Sequence, residues 1–307
     1  MARRRKGRAI SGVLLLNKPT GISSNKALQK VRAMLFASKG GHTGNLDPMA
    51  TGLLPLCFGE ATKFSSYLLD ADKAYIACAR LGQVSDTGDA DGEIIHERSV
   101  PELSIEQLQQ VMQGFVGAIE QVPPMYSALK QNGQPLYKLA REGKTVERKA
   151  RPVTIYSIEL INWQAPDLTF SVRCSKGTYV RTLAEDIGEQ LGCGAHLISL
   201  HRTHTGGFEA AEMISMDQLQ QVRDDEGSID HYLLPADILV SHFAKKNLSA
   251  AETARILHGQ DIANTENLTG MVRLYDPEQQ FLGLAEASET GRLMPRRLIV
   301  TDETVTD

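Results

Sequence analysis

Several things are missing from this sequence, and each absence narrows the reading. No stretch approaches the ~18 consecutive apolar residues that a membrane-spanning helix needs. The apolar run near the N-terminus, Val13 to Leu16, ends at Asn17-Lys18-Pro19, too short for the ~7–15-residue core of a secretion signal. Only four cysteines occur (Cys57, Cys78, Cys174 and Cys193) and none forms a CxxC pair, so neither a zinc knuckle nor a disulfide framework is indicated. They read as buried thiols in a reducing compartment, and a cytoplasmic protein is the expectation. There is no GxxxxGK[ST] loop and no strand-linked GxGxxG, so nucleotide cofactors find no standard cradle. No internal repeat or low-complexity tract is present.

Two partial ligand patterns also fall short. Asp89-Ala90-Asp91-Gly92 resembles part of a calcium loop, but with Gly92 as its sixth position the twelfth falls on Arg98, where a bidentate glutamate is needed. His201 and His204 stand three apart without a third ligand nearby in sequence. No metal is expected.

What is present suits a globular protein of one large and one small domain: 307 residues, 42% hydrophobic and 23% charged. The formal net charge of −4 argues against a polyanion partner only on average, because the charges are segregated. Between Met125 and Arg151 seven cations (Lys130, Lys138, Arg141, Lys144, Arg148, Lys149 and Arg151) face two acids, a balance of +5. Between Glu209 and Asp230 seven acids face Arg223 alone, a balance of −6. Five further cations lie in the first eight residues, as a solvated tail or a phosphate-touching arm.

Local patterns predict the elements. Ser23-Ser24-Asn25 starts a helix whose stripe is Ala27, Leu28, Val31, Met34 and Leu35. Gly40 to Gly52 is a glycine-punctuated loop expected to feed a short apolar helix. Lys73 to Leu81 reads as a strand and Asp86 to Gly92 as a polar turn. Ser104 with Gln107 forms a capping box for the next helix. Pro123 to Pro152 is a polar, basic excursion with a helical patch at 136–140; loops this long are usually functional or disordered. Strands follow at Val153–Trp163 and Leu168–Ser175, a helix at Thr178–Leu191 closed by Gly192, and a strand at Ala195–Leu200. Beyond residue 242, a helix capped by Ser249 and Glu252 and short strands at 271–275, 281–285 and 297–300 predict a small β-rich domain. The last residues, 301–307, are expected to fray.

The densest segment is Gly40-Gly41-His42-Thr43-Gly44-Asn45-Leu46-Asp47-Pro48-Met49-Ala50-Thr51-Gly52, with its glycines permitting close backbone approaches. In isolation Asp47 before Pro48 reads as a helix cap, and His42 as a structural hydrogen-bonder. The segment from Gly41 to Leu53, however, resembles the signature of the bacterial tRNA pseudouridine synthase B family (TruB-type, tRNA pseudouridine-55 synthase). Four further motifs resemble that family in its order: Gly12 to Gly21; Pro124-Met125-Tyr126-Ser127-Ala128-Leu129-Lys130; Cys174 to Leu183, which includes Tyr179 and Arg181; and Leu200 with Arg202-Thr203. Asn45 stands where the family usually has a small residue.

The resemblance implies an α+β pseudouridine synthase fold with a mixed, mostly antiparallel central sheet. It implies a catalytic domain over 11–241 after a basic tail (1–10), an RNA-gripping insertion at about 123–152, and a small PUA-like β domain over 242–307. It implies conversion of a uridine in the TΨC arm of tRNA to pseudouridine by base flipping, without a cofactor and without an obligate protein partner. Asp47 would be the essential carboxylate, kept ionised by Arg181, which would lower its pKa. Tyr75 would stack on the base and assist proton removal from C5; His42 would fill the space the base vacates; Tyr179 and Leu200 would contact the nucleotide; Lys18 would support the site. The seven cations from Lys130 to Arg151 would meet phosphates. A non-catalytic RNA binder and a glycoside hydrolase, which would need a second carboxylate about 5–10 Å from the first, are the competing readings.

Overall fold

The computed structural model describes residues 7–299. Its centre is a large mixed sheet whose main path runs, by strand, Ile214–Ser215, Gly12–Lys18, Thr51–Phe58, Ala195–Thr205, Lys73–Leu81, Asp167–Cys174, Arg151–Gln164, Gly117–Gln121. Neighbours are antiparallel except at the edge pair (Gly12–Lys18 with Ile214–Ser215) and at one central junction, where Thr51 and Gly52 pair parallel with His201 and Arg202. The expected α+β class with a mostly antiparallel sheet is therefore present.

The sheet is buried unequally along its width. The run Val13-Leu14-Leu15-Leu16 is no more than 3% exposed, because both faces of that strand are covered. Leu14 and Leu16 join the main core with the helices Ser24–Met34 and Val180–Gln190. Val13 and Leu15 face the other way, into a second core with Phe64, Phe208, Leu239 and Leu284. Each such side chain contributes roughly 1.5–3 kcal/mol by leaving water, so this strand anchors two layers at once.

The second core joins the large sheet to a smaller five-stranded one of order Ala244–Asn247, Met271–Tyr275, Phe281–Ala287, Arg292–Leu298, Ile262–Ala263. Phe64 packs against Phe281 and Tyr67 against Phe243, both at 5.3 Å between ring centroids. Arg297 Nη1 donates to Lys63 O at 2.6 Å, and Lys63 Nζ donates to Leu298 O at 2.8 Å. The small sheet is thus fixed to the body by rings and by side-chain bonds to backbone carbonyls.

The predicted helix after Gly52 is absent. Thr51–Phe58 is a strand, buried at every position after Thr51. A fully buried strand lacks polar alternation, so its apolar run is indistinguishable from a helix segment by period alone. Asp47 consequently caps no helix. Ala195–Leu200 extends to Thr205, through His201 to Thr205, polar residues that are buried or half-buried and carry no apolar alternation. The expected strand at 297–300 starts within Arg292–Leu298, which ends at Leu298; Val300 lies outside the described residues. The capping boxes at Ser104/Gln107 and Ser249/Glu252 are formed as read. Cys57, Cys174 and Cys193 are buried, whereas Cys78 is half-buried. Arg3, Arg4, Arg5 and Lys6, and the acidic end 301–307, lie outside the described residues.

Candidate active site

Asp47 sits on a loop without regular secondary structure, and buried side chains take over the role of a hydrogen-bond ladder. Ser24, at the first turn of its helix, accepts from Leu46 N at 2.8 Å and donates to Leu46 O at 3.1 Å. The fully buried Lys18 donates to Pro19 O at 2.8 Å, Pro48 O at 3.3 Å and Ala50 O at 2.7 Å. Ala50 N closes a turn on Asp47 O at 3.1 Å. Gly44, at φ +121, and Gly52, at φ +96, take backbone angles that other residues avoid. A Cβ on Gly52 would lie 2.3 Å from Arg202 O. Gly52 therefore serves the close packing of two strands beside the carboxylate.

Arg181 meets Asp47 from the opposite wall. Its Nε lies 3.0 Å from Asp47 Oδ2, an ion contact whose N–H is not aligned as a hydrogen bond. The guanidinium is 4% exposed; the Asp47 side chain is 37% exposed to the cleft. Arg181 Nη1 donates to Thr87 O at 2.7 Å and lies 3.4 Å from Asp89 Oδ2, while Nη2 donates to Tyr126 O at 2.7 Å. One side chain thus ties together the Asp47 loop, the Thr87–Asp89 turn and the root of the basic excursion.

The electrostatics correct the expectation of a lowered Asp47 pKa. Burial pushes the carboxyl above the ordinary carboxylate range, and Asp89 and Asp91 add to that. Arg181 and Lys18 oppose it but do not reverse it. Burial also raises the Tyr75 and Tyr179 phenols, lowers His42, and brings Lys18 and Lys73 down to about 8.

A cleft of about 770 Å³ opens above these groups. Asp47, Tyr75, Tyr179, Arg181, Leu200 and Lys130 line it together. Tyr75 and Leu200 come from neighbouring strands, where Leu200 pairs with Ala77 and Arg202 with Tyr75. Gln121 holds Tyr179 by accepting from its backbone N at 2.7 Å and donating to its O at 3.0 Å. Lys18 is fully buried and is not part of the lining. His42 is half-buried on the strand Gly40–His42, outside the lining, and its Nδ1 is buried without a hydrogen-bond partner.

The seven cations divide. Lys130, Arg148, Lys149 and Arg151 surround a smaller cavity of about 300 Å³, and Lys130 belongs to both cavities. Arg148 Nη1 donates to Pro123 O at 3.1 Å. Lys138 is exposed on the helix Leu136–Arg141, Arg141 lies 5.6 Å over the Tyr137 ring, and Lys144 pairs with Glu142 at 2.8 Å. These three line neither cavity.

Sequence reasoning missed three participants. Asp89 carried a signal, the acidic turn weighed as a calcium loop. Instead of a metal, its carboxylate faces Arg181 and accepts from Thr87 Oγ1 at 2.7 Å and Asp91 N at 3.1 Å. Lys73 and Arg202 line the cleft and are buried; Arg202 belongs to the late motif with Leu200, which assigned it no role, and nothing local signals that Lys73 turns inward. His201 and His204 are engaged separately, with Thr51 Oγ1 and Glu209 Oε1, each at 2.8 Å. Among the described residues no helix is long and apolar enough to cross a membrane.

Comparison with known proteins accounts for most of the chain. Residues 32–180 match the family described as TruB family pseudouridylate synthase (N terminal domain). Residues 181–241 match the tRNA pseudouridylate synthase B C-terminal domain, and 244–299 match pseudouridine synthase II TruB, C-terminal. The tRNA pseudouridine synthase B of Chromohalobacter salexigens is 54% identical over 304 residues, covering 98% of each chain. That of Pseudomonas aeruginosa (strain UCBPP-PA14) is 52% identical over 295 residues, covering 95% of this chain and 97% of its own. Among solved structures, a chain of a Cbf5-Nop10-Gar1 complex matches with a TM-score of 0.73 at 25% identity, covering 95% of this chain and 86% of that one. A chain of an H/ACA RNP bound to a substrate RNA shares the fold, with a TM-score of 0.72 at 23% identity, covering 99% and 93%.

Proposed function

Because the chain belongs to the TruB family of pseudouridylate synthases, and so isomerises uridine to pseudouridine in tRNA, we propose that it acts on the TΨC arm with Asp47 as the catalytic carboxylate. The observation that carries this reading is the Asp47–Arg181 contact of 3.0 Å beside Tyr75 in one cleft. The reaction breaks C1′–N1, turns the base, forms C1′–C5, releases the C5 proton and leaves a proton on N1. It transfers no group and changes no oxidation state, so side chains alone suffice.

Asp47 needs its charge to act on the sugar, as nucleophile or as base. Arg181 orients that charge and opposes the burial that would neutralise it. Tyr75, whose phenol burial keeps protonated, offers its ring to the base. Leu200 closes the pocket wall, and Tyr179 stands at its mouth. The uridine must leave its stack to reach this depth, at a cost of a few kcal/mol. His42, on the strand Gly40–His42 that leads into the Asp47 loop, is assigned to the vacated space.

Lys130, Arg148, Lys149 and Arg151 would grip phosphates as the excursion over 123–152 closes on the stem-loop, with Lys138, Arg141 and Lys144 contributing at longer range. The C-terminal sheet, PUA-like within 242–307, would hold a second part of the tRNA. Such work belongs to the cytoplasm. Glycoside hydrolysis is disfavoured because the second carboxylate, Asp89, spends its oxygens on Arg181, Thr87 and Asp91 and is 3% exposed.

The test is tritium release from C5-tritiated uridine in a tRNA transcript. Release by the wild type, lost in Asp47→Asn while tRNA binding persists, supports the reading. Release mapped to a uridine outside the TΨC arm would overturn the assignment of the target.

A further inference from the structure

Arg202 is the largest fully buried side chain of the molecule's described residues, at 1% exposed, and it stands in the cleft wall without an anion. Its Nε donates to Leu53 O at 2.7 Å and its Nη1 to Asn45 O at 3.4 Å. Those two bonds join the Asp47 loop to the following strand. Its Nη2 is buried and makes no aligned hydrogen bond, and the guanidinium stands within side-chain reach of the Tyr75 phenol. No ion pair with Arg202 occurs among the described residues, whereas Arg181 faces two carboxylates.

A guanidinium stays charged, and burying it unpaired is expensive. The protein bears this cost beside Tyr75, the residue paired with Arg202 across the strands. The charge of Arg202 is felt by Tyr75, His42, Lys18 and Lys73. A buried donor whose nearest polar neighbour is a phenol rather than an anion can turn to an acceptor that arrives with the substrate. Uracil presents only two acceptors at its edge that a guanidinium can use, O2 and O4.

Resting on the reading that the base lies against Tyr75, we propose that Arg202 Nη2 donates a hydrogen bond to a carbonyl oxygen of the target uracil and holds the ring while it turns. The chemistry favours a donor placed this way. Turning the ring so that C5 takes the place of N1 also exchanges O2 and O4. One fixed cation therefore meets a carbonyl before the turn and the other carbonyl after it. It also offsets the negative charge the base carries while detached. Arg202 would thus touch the reacting base in addition to fixing the Asp47 loop.

The experiment crosses a protein change with an atomic change in the RNA. Single-turnover rates are measured for wild type and Arg202→Met on stem-loops bearing uridine, 2-thiouridine or 4-thiouridine at the target, sulfur being the poorer acceptor. Loss of a charge-assisted bond predicts a rate about tenfold or more lower for Arg202→Met on the normal RNA. At least one thio substitution should slow the wild type by about fivefold or more, with that penalty falling below about twofold in the variant. The same penalty in both proteins, or none in the wild type, overturns the proposal. Where Arg202→Met fails to fold, Arg202→Lys, which keeps the buried charge but not the Nη2 donor, serves the same comparison. A wild type that converts no TΨC uridine would instead refute the function proposed above, so the two failures are distinguishable.

Discussion

The floor of the cleft and its rim are built on opposite principles. On the floor, charges are buried and bonded to backbone: Lys18, Arg181 and Arg202 are each no more than 4% exposed and each binds carbonyls from distant segments. At the rim, between residues 123 and 150, only Pro123, Ser127 and Leu136 are buried, and regular structure is confined to a two-residue hairpin pair and the helix Leu136–Arg141. The floor acts through fixed geometry, the rim through field and adaptability. Floor substitutions should therefore strike the rate, and rim substitutions should strike affinity and its salt dependence.

The largest expected effect is at the floor. Asp47→Asn keeps the shape and removes the charge, and should lower the single-turnover rate by about 10³-fold or more while the dissociation constant of tRNA changes little. A rate loss explained by weaker binding would break the contrast. Lys18→Met comes next. It leaves three carbonyls without their buried donor and should destabilise the fold by about 2–4 kcal/mol, read as a drop in denaturation midpoint with the activity loss tracking it. The pH profile sharpens the point. Asp47 must be ionised, and burial raises its pKa, so the acid limb of the rate should lie above the ~4 of an ordinary carboxylate. Activity should fall as pH drops through that raised value, and should be flat with pH in residual activity of Asp47→Asn.

These floor contacts were the least legible part of the sequence. Arg202 and Asn45 are 157 residues apart, and nothing local announces their bond. The motif resemblance supplied Asp47, Tyr75, Arg181 and Leu200, which the fold gathers in one cleft, but said nothing of Asp89, whose meaning emerges only when Arg181 is in place. Elements with their own local code read well: the capping boxes at Ser104 and Ser249, and the alternating strand containing Phe170, Val172 and Cys174. Thr51–Phe58 misread as helix because a strand covered on both faces shows no period of two.

Smaller effects belong to the rim. Replacing Lys130, Arg148 and Lys149 together with alanine should weaken tRNA binding by about tenfold or more and flatten the salt dependence by about two to three units of slope, with the saturated rate nearly kept. Lys144→Ala, which removes one arm of an exposed pair with Glu142, should change stability by less than about 0.5 kcal/mol in a denaturant titration.

The central parallel junction carries a last consequence. Thr51 and Gly52 beside His201 and Arg202 are its only two rungs, so the great sheet is two antiparallel panels stitched by a very short seam. Side chains reinforce it: Gly52 fits closely against Arg202, whose guanidinium reaches over the seam to Leu53 and Asn45. The cleft wall at Arg202 thus coincides with a two-rung joint between the panels, and any side chain at residue 52 would press them apart along that line.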